Sequence, residues 1–202
     1  MKLTKYAAAA VLAAGMTLGA NALTITIGDG PPTQRTASLT DATAGFGGEG
    51  NATAATVNAG FAPLAPWTER GSIAGAQDTG GTLSDGLLTV ALLTGTWGNN
   101  GPVTGTWAIG ASFWTLYADA AISMHAGGGR QSNTPDHFVW HVADRATSGT
   151  FSYDGTCCNG GGLSNIKLYS SGTGTSVPDG GSTLALVGLA IAGLGLARRK
   201  LS

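Results

Sequence analysis

The sequence predicts an all-β protein, an antiparallel β-sandwich of jelly-roll-like type. Three observations lead there. Short segments alternate apolar and polar residues with period two, as half-buried strands do. Clusters of Gly, Asn, Asp and Pro separate those segments and supply turn chemistry. Outside the two ends, no long stretch carries the 3.6-residue periodicity of an amphipathic helix.

The elements follow in order. Leu23, Ile25 and Ile27 alternate with Thr24 and Thr26, a first strand that ends at Asp29-Gly30-Pro31-Pro32. Thr36 to Thr40 is a second. Ala42 to Gly60 is rich in Ala, Gly and Thr and reads as a loop or an irregular edge. Ser72 to Ala76 is a weak strand. Within Leu83 to Thr96, the near-continuous apolar run Leu87 to Leu93 suits a central strand. Thr94-Gly-Thr-Trp97 recurs as Thr104-Gly-Thr-Trp107 around Gly98-Asn-Asn-Gly-Pro102, which reads as a β-hairpin. Phe113, Trp114 and Tyr117 fall at helical spacing, so Ser112 to Ala121 is a short helix or an aromatic turn. Ala121 to His125 is a strand, and Ala126 to Pro135 a loop. Phe138, Trp140 and Val142 alternate with His137, Val139 and His141. Gly149, Phe151 and Tyr153 continue the pattern, and Ile166 to Tyr169 is the last strand. This gives a sandwich over 23–169 and a flexible tether over 170–176.

Both ends read as targeting segments. Lys2 and Lys5, an apolar stretch from Ala7 to Leu18, and Ala20-Asn21-Ala22 form the three parts of a secretory signal peptide. Ala20 and Ala22 are its small cleavage-site residues, so 1–22 is the signal and the mature chain starts at Leu23. At the other end, Gly180 to Ala197 is eighteen residues without a charge. As a helix it spans about 27 Å at 1.5 Å per residue, against a hydrocarbon core of about 30 Å. Residues 183–197 are the expected single transmembrane helix, and 198–202 the basic tail, with Arg198, Arg199 and Lys200 on the cytoplasmic side. Gly188, Ala192 and Gly195 place small residues on roughly one face of that helix.

Val177-Pro178-Asp179-Gly180-Gly181-Ser182-Thr183, an apolar helix and Arg198-Arg199-Lys200 together resemble the PEP-CTERM class of bacterial sorting signals, and more narrowly its VPDSG-type variant. The variant's Ser after Asp is Gly180 here, also small and turn-compatible. The resemblance covers 177–202. It implies recognition by an exosortase, a multi-pass membrane protease, in a Gram-negative-type bacterium that makes exopolysaccharide. Pro178 fixes φ, and Asp179, Gly180 and Gly181 keep the backbone extended or turned where a protease needs access. Ile122–His125, Asp136–Trp140, Ser148–Tyr153 and Gly161–Asn165 resemble the extracellular domains that precede such tails. That likeness implies no biochemical activity.

Charge narrows the function classes. The chain has ten basic and eleven acidic residues. Five of the bases lie in the two ends and all the acids lie between Leu23 and Asp179, so the exported part has a net charge of −6. This argues against nucleic acid and anionic membrane surfaces as partners. It favours solubility beside the cell.

Catalytic and metal chemistry finds few candidates. Asp29, Asp85, Asp154 and Asp179 each precede Gly, as turn residues do. Glu69 beside Arg70 is the most site-like carboxylate, and a surface ion pair or turn is the simpler account. His137 and His141, with Asp136 and His125, have metal-ligand chemistry. On a strand, however, i and i+4 lie about 13 Å apart, too far for one ion. The loop from Asp78 to Asp85 has oxygen ligands for Ca²⁺ without an EF-hand spacing. Adjacent Cα atoms are about 3.8 Å apart and ordinary disulfides span roughly 4.4–6.8 Å. Cys157 and Cys158 therefore form either a strained vicinal disulfide or bridges to another surface protein. Trp97 and Trp107 are either core residues or a stacking platform for sugar rings. Trp140 is expected in the core.

The expected function is therefore an exported, non-enzymatic cell-surface or extracellular-matrix protein. It would be held transiently at the inner membrane and then passed outward, without a metal or cofactor. The alternative is a carbohydrate-binding module associated with exopolysaccharide, with a glycan-active enzyme third.

Overall fold

The structure is a computed structural model, and it describes residues 21–28, 34–64, 66–74, 80–99, 101–127, 135–155 and 161–174. The eleven strands are β1 (Ala22–Ile27), β2 (Arg35–Thr40), β3 (Ala42–Glu49), β4 (Thr68–Ala74), β5 (Gly80–Thr82), β6 (Leu88–Thr94), β7 (Val103–Ile109), β8 (Asp119–Ala126), β9 (Pro135–Val142), β10 (Ser148–Asp154) and β11 (Leu163–Ser171). Two short helices, α1 (Ala54–Gly60) and α2 (Phe113–Leu116), interrupt them. One sheet has the order β1-β2-β10-β7-β6-β5 and the other β3-β9-β8-β11-β4. Every pairing is antiparallel. The chain is thus an all-β sandwich. The connections β2–β3, β4–β5, β7–β8, β9–β10 and β10–β11 cross between sheets, whereas β5–β6–β7 and β8–β9 are meanders within one sheet.

The period-2 reading holds where side chains face the opposite sheet. Phe138, Trp140 and Val142 of β9 meet Ile122 and Met124 of β8, Phe151 and Tyr153 of β10, and Trp107 of β7 in one core. The Phe138 and Trp140 rings stack with centroids 5.8 Å apart. The Trp140 indole N–H donates to the Leu23 carbonyl at 3.0 Å, tying β1 to the second sheet. Each such large apolar side chain stabilises the fold by about 1.5–3 kcal/mol on burial.

Of the two readings of Ala42 to Gly60, a loop or an irregular edge, the structure takes the edge. The stretch forms the edge strand β3, with register shifts at both ends, followed by α1. Glycine is there to let two sheet edges close. A Cβ on Gly45 would stand 2.7 Å from Ile25 Cδ1 of β1. Helix α1 is capped by Thr53, whose hydroxyl accepts from the Thr56 N–H at 3.2 Å. It packs Val57 on the outer face of the second sheet, against Phe61, Trp67, Ala121, Val139 and Tyr169. The sandwich therefore has a small second core outside its main one.

Other expectations shift. Leu87 to Leu93 falls largely on β6, which has β7 and β5 on its two sides, but only one of its faces is buried. Leu88 and Val90 point inward, while Leu93 is the extra residue at a register shift opposite β7 and is 65% exposed. Only the three-residue β5 flanks β6 on that side. The weak strand begins earlier, at Thr68. Ser170 and Ser171, read as the start of the tether, close β11 and are 1% and 2% exposed. Three expectations lie outside the described residues: the signal peptide up to Ala20, the cysteine pair, and the tail with the helix expected over 183–197. Among the described residues no helix is long and apolar enough to cross a membrane.

Candidate functional site

Of the two readings of Trp97 and Trp107, core or stacking platform, the structure takes the core. Trp107 is 1% and Trp97 8% exposed. Gly149 faces Trp107 across the β7–β10 pair, and the absence of a Cβ there makes a slot for the indole. Trp97 lies between two glycines with positive φ, Gly95 and Gly98, which fold the hairpin tip back over the core. Neither ring offers a face to a sugar. Small residues opposite a large ring decide this, and the residue type alone does not show it.

The histidines share the outer face of the second sheet. His125 and His137 face each other directly across β8 and β9. His125 Nδ1 lies 2.7 Å from Ser164 Oγ, and its Nε2 lies 3.4 Å from Asp136 Oδ2. Burial pushes the His125 imidazole below its usual range, against the opposing pull of the Asp136 carboxylate; His137 and Arg35 add to the lowering. These contacts have the composition of a Ser–His–Asp relay, but the Ser164 hydroxyl donates to the His125 carbonyl at 3.0 Å. The carbonyl thus competes with Nδ1 for the one hydroxyl proton that a nucleophile has to pass to the ring.

His137 is buried, with Nδ1 2.8 Å from the Gly50 carbonyl. His141 Nδ1 lies 2.8 Å from Thr43 Oγ1 and its Nε2 3.3 Å from Asp119 Oδ1, while the ring packs on Phe61 and Trp67 at 5.7 Å. The two thus stand on one face of β9 with separate partners. Among the described residues no three His, Cys, Asp or Glu side chains converge on a metal position. Of the Asp78 to Asp85 loop, Asp85 turns its carboxylate to the Leu87 N–H at 3.0 Å.

Glu69 and Arg70 part company. Glu69 pairs with Lys167 at 3.0 Å on the outer face. Arg70 falls at the register shift between β4 and β11, where Leu168 pairs with Gly71 and Tyr169 with Glu69. A bulge of this kind re-aims the extra side chain. The Arg70 guanidinium lies 4.2 Å over the Tyr117 ring, and Nε donates to Ser170 Oγ at 2.5 Å. The same side of the sandwich is open. A cleft of about 370 Å³ runs between the edge strands β4 and β5, lined by Arg70, Ser72, Thr82 and Ser84 among others. Among the described residues no lining residue is acidic. The sequence signals neither the cleft nor Arg70's place in it, because both depend on how two distant edges meet.

Residues 176–201 match the family model of the VPDSG-CTERM motif. The chain thus carries a C-terminal sorting signal of that type. The signal marks export and membrane-associated processing by an exosortase-type enzyme. No curated protein and no solved structure matches the chain.

Proposed function

We propose that this is a non-enzymatic cell-surface or matrix protein of a Gram-negative-type bacterium. A signal peptide over 1–22 exports it, the 183–197 helix holds it at the inner membrane, and an exosortase cuts near Pro178. Its folded domain then passes into the exopolysaccharide layer. The observation that carries the reading is the VPDSG-CTERM match at 176–201. The separate partners of His137 and His141, and the backbone carbonyl that competes for the Ser164 proton, support a domain without acyl-transfer chemistry.

The test is intact mass of the protein from membrane and medium fractions of its host. A chain running from Leu23 to near Pro178 in the medium is the expected result. A chain that keeps Arg198 to Ser202 in the membrane, with none released, would leave a plain anchor instead.

The second reading, a carbohydrate-binding module associated with exopolysaccharide, is favoured by one observation. The open edge between the sheets is a polar cleft of about 370 Å³, within the size range of small-ligand sites. The reading moves from Trp97 and Trp107 to that cleft.

A further inference from the structure

We infer that the cleft between β4 and β5 binds a carboxylate-bearing saccharide, with Arg70 as the carboxylate receptor. The inference rests on the carbohydrate-binding reading and adds a site and a ligand class to it.

Arg70 is held in place before any ligand arrives. Its ring contact with Tyr117 fixes the plane of the guanidinium, and its Nε bond to Ser170 fixes the rotation within that plane. Ser170 is itself buried in β11, so this anchor is rigid. No carboxylate among the described residues pairs with Arg70; the adjacent Glu69 is taken by Lys167 on the other face. Nη1 and Nη2 have no hydrogen-bond partner among the described residues. A planar fork with two free N–H groups matches a carboxylate in a bidentate geometry.

The rest of the lining suits sugar hydroxyls. Ser72 and Ser84 add exposed hydroxyl-bearing residues to the lining, beside Thr82, whose own hydroxyl pairs with Thr89 Oγ1 at 3.1 Å. Gly71 is covered by the Leu83 side chain, which together with Ile73 and Ala74 gives the lining an apolar part for the sugar ring. The exported part carries a net charge of −6, so long-range attraction does not draw an acidic ligand in. Recognition has to come from short-range contact at Arg70.

The experiment is calorimetric titration of the full chain in detergent with trigalacturonate and with its carboxyl-reduced, neutral counterpart. Trigalacturonate is expected to bind at least about tenfold more tightly than the neutral sugar. Arg70→Met, which keeps the apolar stem, is expected to weaken trigalacturonate binding at least about tenfold. Arg70→Lys, a point charge without the fork, should fall between. Ser84→Trp, an exposed change at the cleft rim, should block binding without touching the Arg70 anchor. It serves if Arg70→Met does not fold. Equal binding of the acidic and neutral sugars would overturn the carboxylate inference and leave the carbohydrate-binding reading intact. Binding of neither would remove both. Trigalacturonate binding that survives Arg70→Met or Ser84→Trp would overturn the cleft as its place.

Discussion

Gly149 lies directly beneath the indole of Trp107, and a Cβ at that position would stand 2.7 Å from the ring's Cε2. This contact decides that Trp107 is a packing residue. Gly149→Ala is expected to destabilise the domain by about 1–3 kcal/mol through overpacking, read as a lower urea midpoint with an unchanged slope. Trp107→Ala should cost about 3–5 kcal/mol by opening a cavity. A Trp107→Ala protein of native stability would show that the indole is not part of the core.

Acid should weaken the fold through His125. Its pKa is lowered in the folded protein by burial, so the unfolded chain takes up the proton first. Stability is full above the ordinary histidine pKa of about 6.5 and falls as pH drops through it. The groups facing the ring are Asp136, His137, Arg35 and Ser164. Urea midpoints measured from pH 8 to pH 5 should fall on acidification, and His125→Gln should flatten that fall. An identical slope in the variant would place the acid sensitivity elsewhere.

Alkali should act through Tyr169. Burial raises its pKa to about 12, and its hydroxyl donates to the Ala52 carbonyl at 2.7 Å, linking β11 to the entry of α1. A raised pKa means that the folded state resists losing the proton. Stability is therefore complete below about pH 10 and is lost as pH rises through 10 toward 12. Tyr169→Phe should lose about 1–2 kcal/mol at neutral pH and show a smaller decline above pH 10. Thermal melts at pH 7, 10 and 11 read both effects.

How much of this was legible in the chain depends on how local the signal is. The Thr94 and Thr104 echo gives the hairpin correctly, since those residues pair and their hydroxyls lie 2.7 Å apart. Phe138, Trp140 and Val142 announce their face by alternation alone. The stretch from Ala42 to Gly60 does not, because Gly45, Gly47 and Gly48 are explained by residues of other strands, Ile25 and Ile27 of β1 and His137 of β9. Arg70 is hidden for a similar reason. Its orientation follows from a mismatch between β4 and β11, strands about a hundred residues apart in sequence, as Arg70 and Ser170 are. Alternation puts His137 and His141 on one face of β9, but it does not show that α1 and the segment after it cover that face.

That cover should behave as a separate unit, with Asn58 as its fastener. The Asn58 side chain donates to the Ala54 carbonyl at 2.7 Å and accepts from the Trp67 N–H at 2.7 Å. It thereby closes the segment from α1 to the start of β4 into one loop. Asn58→Ala leaves the Trp67 amide without its partner, at a cost of about 1–3 kcal/mol. The cost should fall on the cover, since its cluster of Val57, Phe61, Trp67 and Tyr169 is distinct from the main core. Amide exchange at Val57 and Phe61, whose N–H groups bond within α1 and at its end, should speed up about tenfold or more. Exchange at Trp140, in the middle of β9, should change little. Equal acceleration at Trp140 would mean that the cover and the sandwich open together.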